Sequence, residues 1–546
     1  SSTIEFVANE QAFISLDDGL AYDAEDDTLY VSADTATEIS HYTADGVLLE
    51  NFPWAGAGCF NSGLALGGDL LYQGSNGCNH VWVIFKVLRF PVFDFATGAE
   101  GVRDEDLECD SVSYFPQTVM WSVEAYEPRR AIAFEIPAGS CGVGGGVDSD
   151  EDGLLDEWES SGVSIDPDGP GGLEPQFMDL PAMGADPERA DIFIHLDWME
   201  DDDHTHALEE EAIRQIVEAF DDSPHIAPTG RVGINFHVDQ GPDSILDFDT
   251  NETWGVLSRA RALPHVDNLG DSGLFGYDWS AFDDIKNANT TTGVDSFNET
   301  GRLPIFHYAI SAHNYGGNTS SGISRGIGAS DFIVSLGSFT GGTGTVRQQA
   351  GTLMHELGHN LNLLHGGDDD TNYKPNYLSV MNYLFQLGGL IKDEAEGTFD
   401  YSRFVLDDLD ENHLDETVGL EPPVVGGYGT RHYCDDTRQF VPDANGPIDW
   451  NCDGDEEDTD VSYDINSDED FIFRDVLHGF DDWDNLDLTG GAIGLAGVTP
   501  DLPQFTELDL LTPEIAAMIV PLDGEPPPPP VTTVQIDIKP GAEPNT

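Results

Sequence analysis

Residues 355–365 read HELGHNLNLLH. On an α-helix, His355 and His359 lie four residues apart on one face, so both imidazoles can reach a single metal ion. Glu356 is next to them and can hold a water molecule beside that ion. A bare H-E-x-x-H pattern also arises by chance, so the interpretation needs further support from the surrounding sequence. The stretch predicts a zinc site with its own general base.

The third histidine, His365, determines where the helix must end. Six residues at about 100° each would carry a continuing helix about 240° away from the second histidine, so His365 reaches the metal only if the helix stops first. Asn362 is the predicted stop, because asparagine tolerates the left-handed conformation that ends helices. Thr345 and Gln348 match a capping box, which predicts a helix over residues 346–361.

Residues 379–383 read SVMNY. Together the two stretches resemble the metzincin metalloproteases, whose pattern is H-E-x-x-H-x-x-G-x-x-H followed by a methionine turn. The sequence departs from that pattern at Asn362, where the family has glycine. The resemblance implies that zinc is held by His355, His359 and His365. It also implies that Met381 forms the floor of the site. As in the astacin and serralysin branches, Tyr383 would be a labile zinc ligand that steadies the oxyanion.

The resemblance implies a secreted zinc endopeptidase acting on protein or peptide substrates. Glu356 would accept a proton from the attacking water and pass it to the leaving amine. Two alternatives remain open. One is an extracellular structural protein, a filament or surface-layer subunit built on a metalloprotease fold with calcium and strand docking. The other is a zinc amidase acting on cell-wall peptides.

The composition excludes some classes of partner. The 546 residues, enough for three or four domains, contain 21 Lys and Arg against 103 Asp and Glu, a net charge of -82. Nucleic acid and anionic membranes would repel such a surface, so neither is expected as a primary partner. With 39% hydrophobic and 10% aromatic residues, the chain should fold. The acidity resembles that of proteins from salt-loving organisms, whose stability falls at low salt, and calcium-loaded loops are the alternative explanation.

The cysteines indicate an oxidising compartment. Their spacing permits three local disulfides, although other pairings or six reduced cysteines are also formally possible. The candidate pairs are Cys59 with Cys78, Cys109 with Cys141, and Cys434 with Cys452. The chain begins at Ser1 without methionine, as expected if a signal peptide has been removed. The most apolar run, residues 81–90, is too short to span a bilayer. We expect a secreted protein at the cell surface or outside the cell.

The expected fold is multidomain, and its first part is all-β. The sequence of residues 19–32 is similar to that of residues 63–73. The two stretches start 44 residues apart, which is near the length of a propeller blade. Three such units are too few for an ordinary closed propeller, so only propeller-like repeats are predicted. The predicted organisation is a β-rich domain (1–141), a glycine hinge with a calcium loop (142–166), an α/β (α+β) metzincin-like catalytic domain (167–400), an irregular acidic extension braced by calcium and a disulfide (401–524), and a polyproline spacer with a β-strand tail (525–546).

Two stretches have the spacing of calcium loops. Residues 148–159 fit D-x-D-x-D-G-x5-E at every position. The predicted ligands there are Asp148, Asp150, Asp152, Leu154 through its carbonyl, Asp156 and Glu159, and a solvated acidic linker is the alternative. Residues 449–460 resemble a dockerin-type loop. Its predicted ligands are Asp449, Asn451, Asp453, Asp455 and Asp460, and Cys452 would tie this loop to Cys434.

The catalytic region is expected to alternate strands and helices. Strands are predicted at 190–198, 231–238, 304–312, 322–328 and 331–336, and an amphipathic helix at 206–220. By resemblance, residues 318–328 would be an antiparallel edge strand that binds substrate by β-augmentation. His195, His204 and His206 are interpreted as structural or surface histidines. We expect the lone strand at 534–538 to dock on another surface, and self-association with a neighbouring subunit is the candidate interaction.

Overall fold

The structure is a computed structural model that describes most of the central part of the chain. The described residues are 17–23, 28–33, 38–43, 47–53, 60–67, 70–76, 80–86, 90–96, 104–110, 118–124, 131–136, 148–165, 176–273, 276–287, 297–424, 426–434, 437–466, 475–489 and 511–513. The glycine hinge, the polyproline spacer and the tail strand lie outside them. So do Cys59, Cys78 and Cys141, and with them two of the three predicted disulfides.

The N-terminal region consists of antiparallel sheets in which consecutive strands pair. The strands are β1 (Asp17–Asp23), β2 (Thr28–Ala33), β3 (Glu38–Thr43), β4 (Leu48–Pro53), β5 (Phe60–Gly67), β6 (Leu70–Asn76), β7 (His80–Phe85), β8 (Phe90–Ala96), β9 (Asp104–Asp110), β10 (Thr118–Glu124) and β11 (Ala131–Ile136). They form two four-stranded sheets, β1–β4 and β5–β8, and a three-stranded sheet, β9–β11. The two echoed sequences form the first hairpin of each four-stranded sheet. The prediction of an all-β region is confirmed for these residues.

The central region contains a mixed sheet flanked by helices. Its elements are α1 (Asp156–Ser161), β12 (Val163–Ile165), β13 (Gln176–Met178), α2 (Leu180–Met183), β14 (Asp191–Glu200), α3 (Glu210–Asp221), β15 (Asn235–Asp239), β16 (Ile245–Asp247), β17 (Glu252–Thr253), β18 (Ala262–Pro264), β19 (Ser272–Gly273), β20 (Gly276–Tyr277), α4 (Ser280–Lys286), β21 (Phe306–Ala312), β22 (Gly322–Ser324), β23 (Asp331–Ser335) and α5 (Val346–Asn360). Short 3-10 turns occur at Gly255–Leu257, Asn298–Thr300 and Thr340–Gly342.

The strand order of the main sheet is β15-β14-β21-β23-β22, and β18 pairs with the end of β14. All of these pairings are parallel except that of β22, which runs antiparallel to β23 at the edge. Parallel strands are covered on both faces, which explains the nearly unbroken burial of β14, β21 and β23. The predicted strands and the antiparallel direction of the edge strand are confirmed, although β15 begins four residues later than predicted and β22 ends at Ser324.

The predicted helix at 206–220 begins later than expected. Its first four residues are not helical, and α3 starts at Glu210. The backbone N–H of His206 donates to the carbonyl oxygen of Met199, and the N–H of Leu208 donates to the Gln240 side chain. Because these tertiary partners satisfy the N–H groups outside a helix, the amphipathic pattern misplaced the boundary.

The region after residue 400 has little regular structure. Its strands and the preceding hairpin are β24 (Leu390–Lys392), β25 (Ala395–Thr398), β26 (Leu409–Asp410), β27 (Thr430–Cys434), β28 (Thr437–Val441) and β29 (Val476–Leu477). The sulfurs of Cys434 and Cys452 lie at disulfide distance, as the sequence predicted. Trp483 and Leu511 join the hydrophobic core beneath α5, so the extension packs on the central region.

Across the described residues the chain is mostly β-sheet with few helices, divided over several sheets. No helix within these residues has the length and apolar character needed to cross a membrane.

Candidate metal centre

The helix α5 carries the first two histidines of the predicted site on one buried face. Thr345 and Gln348 form the predicted capping box, and every residue from Gln348 to Asn360 is buried. The ring centroids of His355 and His359 are 4.8 Å apart. The predicted helix and its cap are confirmed.

A tight turn after α5 brings the third histidine back to the first two. Asn362 has φ +75°, the left-handed conformation predicted for it. The backbone N–H of Leu363 donates to the Gly358 carbonyl at 2.9 Å, which closes the helix end. The chain then reverses, and the His365 ring lies 5.4 Å from His355 and 5.0 Å from His359. One nitrogen of each of the three rings lies within 4.8 Å of the others.

Each imidazole is oriented by an oxygen at its Nδ1 atom. The partners are the Val380 carbonyl for His355 (2.9 Å), the Leu363 carbonyl for His359 (2.8 Å) and the Asp370 carboxylate for His365 (3.2 Å). A carbonyl oxygen only accepts, so Nδ1 of His355 and of His359 carries the proton and Nε2 has the lone pair. The Nε2 atom of His355 is buried and has no hydrogen-bond partner among the described residues.

Burial keeps the imidazoles of His355 and His359 neutral. It lowers the pKa of His355 well below the usual value, and the pKa of His359 to about 3, with neighbouring histidines adding to both shifts. Metal binding needs the neutral ring, so His355 and His359 have no proton to lose from the binding nitrogen at neutral pH. Three imidazoles with converging ring nitrogens are a donor set that fits zinc.

The Glu356 carboxylate lies against the edge strand of the sheet. The side chain is buried, and a Cβ atom added to Gly322 would lie 2.5 Å from its Oε1 atom. Only glycine at the start of β22 therefore leaves room for the carboxylate. The predicted general base and the predicted substrate-binding strand lie next to each other.

Met381 and Tyr383 line the other side of the site. A Cβ atom on Gly358 would overlap the Met381 sulfur, so the methionine packs directly against the helix that carries the histidines. The Tyr383 ring is buried, 4.7 Å from the His365 ring and 5.5 Å from the His355 ring. Both residues therefore lie near the three histidines, and the roles that the resemblance implies for them stay predictions.

The loop at 148–159 folds around a cluster of carboxylates. Asp148 accepts the Gly153 N–H at 3.0 Å, which shapes the turn. Ligand oxygens of Asp148, Asp150 and Asp152 lie within 4.8 Å of one another. Asp152, Glu159 and Asp191 form a second such group. Asp191 begins β14, far from the loop in sequence, so the loop's sequence pattern does not include it.

Two of the buried carboxylates in this cluster lack hydrogen-bond partners, whereas Asp152 accepts the N–H groups of Leu154 and Asp191. Both oxygens of Asp150 and both of Glu159 are buried without a hydrogen bond in the described part of the chain. Burial and the neighbouring carboxylates raise the pKa of Asp150 to about 7 and that of Glu159 to about 10, and raise that of Asp152 well above its usual value. Oxygen ligands at this density fit Ca²⁺, which would remove the repulsion.

The other predicted calcium ligands have different surroundings. Asp156 accepts hydrogen bonds from the Ser149 N–H and hydroxyl, at 2.8 and 2.9 Å. In the second loop, Asp449 accepts the Gly454 N–H at 3.0 Å, as Asp148 does in the first. Asp460 is exposed and lies 2.8 Å from His413. The calcium-binding roles of all the predicted ligands in both loops stay predictions, including those of Leu154, Asn451, Asp453, Asp455 and Asp460.

No family model and no curated protein matches the sequence. Among solved structures, hydrazine synthase of Kuenenia stuttgartiensis is similar at 16% identity and a TM-score of 0.18, over 22% of this chain and 34% of that one. Sqt1 of Saccharomyces cerevisiae is similar at 13% identity and a TM-score of 0.18, over 22% and 31%. A streptogramin B lyase is similar at 14% identity and a TM-score of 0.17, over 22% and 41%. The chain spans less than half of each of these proteins, and similarities of this size define neither fold nor function.

Asn362 provides a test of the turn that positions His365. Its side chain is exposed, so the backbone conformation is what a substitution changes. We expect Asn362→Gly to bind zinc as the parent does. Asn362→Val should lose about 1–2 kcal/mol of stability from left-handed strain and bind zinc more weakly. Thermal unfolding and zinc titration at high salt measure both effects. Equal behaviour of the two variants would contradict the role given to the turn.

Proposed function

We propose that the chain is a secreted zinc endopeptidase of metzincin type. The observation that carries the proposal is the convergence of three buried, pre-oriented imidazoles beside Glu356, against the antiparallel edge strand β22. A histidine cluster in a purely structural role would not need a buried carboxylate at its side. The methionine floor and Tyr383 support the same class of site.

The chemistry follows from the residues around the three histidines. Zinc at such a site supplies a Lewis acid that polarises the scissile carbonyl and acidifies water. The Glu356 carboxylate accepts the proton of the attacking water and donates it to the leaving amine. The Tyr383 hydroxyl donates a hydrogen bond to the oxyanion as the tetrahedral species forms.

The edge strand supplies the means of holding a peptide. An extended substrate can add to β22 through backbone hydrogen bonds, which bind any sequence in an extended conformation. Gly322 keeps the strand close to Glu356, so a peptide paired with β22 would pass the general base. Protein and peptide chains are therefore the proposed substrate class.

The rest of the molecule fits a secreted, calcium-braced enzyme. The Cys434–Cys452 pair is stable in an oxidising compartment. Calcium at Asp148, Asp150, Asp152, Glu159 and Asp191 would attach the loop to β14. In the N-terminal region, β1 packs against β5 and β5 against β9, which supports propeller-like repeats.

The test of the proposed function compares two substrates at high salt with calcium present. We expect the protein to cleave casein at internal peptide bonds, with fragments identified by mass spectrometry, and to be inactivated by a chelator that zinc reverses. Cell-wall peptides should remain intact. Cleavage of cell-wall peptides but not casein would replace the endopeptidase with an amidase. No cleavage of either would contradict the proposal.

The calcium loop predicts how stability depends on pH. The pKa of Glu159 is raised from 4.5 to about 10 and that of Asp150 from 3.8 to about 7 without metal. The folded state then binds more protons than the unfolded state, so the metal-free protein should lose stability as pH rises from about 4 to 10. Calcium replaces these protons. Its stabilising effect on thermal unfolding should be larger at pH 8 than at pH 5, and an equal shift at both values would contradict the assignment.

A further inference from the structure

Four histidines outside the proposed active site meet at one end of the main sheet. They are His204 and His206 after β14, His265 directly after β18, and His313 directly after β21. The strands β18 and β21 both pair in parallel with β14, so all three end at the same edge. The carboxyl ends of parallel strands are where ligands bind in open sheets. The residues span more than a hundred positions in sequence, so no local motif reveals them.

The ring nitrogens of the four histidines converge on a common centre. One nitrogen from each lies within 4.8 Å of the others. Nε2 of His206 is 3.1 Å from Nε2 of His204 and 3.1 Å from Nδ1 of His313. Four nitrogens around a tetrahedral zinc at about 2.05 Å would be about 3.3 Å apart. The observed separations are close to this value.

Hydrogen bonds among the rings do not account for the arrangement. A ring nitrogen has either one proton or one lone pair, so Nε2 of His206 can form a hydrogen bond with only one of its two neighbours. Nε2 of His265 is buried and has no hydrogen-bond partner within the described residues. A cation at the centre would satisfy all four nitrogens together.

A carboxylate orients two of the rings. The Asp201 oxygens lie 3.3 Å from Nδ1 of His204 and 3.5 Å from Nδ1 of His265. The same carboxylate is fixed by the N–H groups of Asp203 and His204, at 2.8 and 3.0 Å. A carboxylate at Nδ1 leaves Nε2 free to bind a metal, which is the usual second-shell arrangement of metal-binding histidines.

We propose that His204, His206, His265 and His313 bind a divalent transition metal ion, zinc by preference, at a site separate from the one on α5. Imidazole nitrogens favour zinc and its neighbours in the series over calcium or magnesium. Four protein ligands leave no open position, so this ion is structural. It would join the ends of β14, β18 and β21. His206 is buried and the other three are half-buried, which gives an ion access from solvent.

The test counts zinc in the full chain after chelator treatment, dialysis against zinc at high salt, and elemental analysis. The parent protein should bind about two zinc ions per chain and His359→Ala about one. His359→Ala combined with His265→Ala should bind none. The matched control combines His359→Ala with His478→Ala, an exposed histidine paired with Asp408, and should keep one.

Each outcome separates the two sites. One zinc in the parent and none in His359→Ala would overturn the four-histidine site and leave the proposed enzyme intact. One zinc in both would support the four-histidine site and remove the proposed catalytic zinc. Zinc retained in the His359→Ala and His265→Ala double variant would overturn the assignment. Cobalt bound to His359→Ala provides a second measurement, because four imidazoles should give the intense visible absorption of a tetrahedral ion, and weak octahedral absorption would contradict the site.

Discussion

The Glu356→Gln variant is expected to cleave casein about 100- to 10,000-fold more slowly than the parent protein while it keeps its zinc. The buried carboxylate lies next to His355 in the chain and against Gly322 of β22. Glutamine has nearly the same volume and fits beside Gly322, but it cannot accept the proton of the attacking water. The loss should therefore appear in kcat, with zinc content and thermal unfolding nearly unchanged.

The matched control for this prediction is Glu218→Gln, which makes the same change on the exposed surface of α3. It should cleave casein at the parent rate. If Glu356→Gln retained activity, Glu356 would be removed from the mechanism. If it lost zinc as well as activity, the residue would be a structural support of the metal centre.

The Glu159→Gln variant should be less stable than the parent protein in calcium and more stable than the parent when calcium is removed. In calcium, the parent gains about 3–4 kcal/mol at 100 to 1,000 times the dissociation constant, and the variant gains much less because it loses a bidentate ligand. In chelator at pH 8, the variant should be the more stable of the two. It lacks one of the buried carboxyl groups, whose pKa burial raises to about 10.

Thermal unfolding of both proteins, with calcium and with chelator, measures this reversal. Glu157→Gln is the control, because Glu157 is exposed on the same helix and should leave both transitions unchanged. A variant that stays less stable than the parent in chelator would show that the Glu159 carboxylate is stabilised by something other than calcium.

The sequence predicted the helix α5, its cap and the turn at Asn362 well because their determinants are local. The spacing of His355 and His359, the capping box at Thr345 and the stop at Asn362 act within one helix and its turn. Helix periodicity and left-handed propensity are properties of short segments, so one sequence is enough to apply them. The same holds for the Cys434–Cys452 pair, whose two residues are 18 positions apart.

The features that sequence reasoning missed depend on contacts between distant residues. Asp191 joins the carboxylate cluster of the 148–159 loop only because β14 begins beside that loop. The helix α3 starts later than predicted because the N–H groups of Leu208 and Glu209 donate to distant side chains instead of joining the helix. His204 and His206 were interpreted as structural or surface residues, and their meeting with His265 and His313 follows from the parallel order of three strands. Strand order is set by the whole sheet and is not encoded in any one stretch.

The most direct test of the central claim is the zinc content of the purified protein at high salt, measured on the same sample as a casein assay with and without chelator. We expect zinc at the α5 site, seen as the ion that His359→Ala loses, together with cleavage that chelator abolishes and zinc restores. If the α5 site binds zinc but casein is not cleaved, the protein would be a surface-assembly protein that keeps a protease architecture. Absence of this zinc ion despite added metal would contradict the proposal of a zinc endopeptidase.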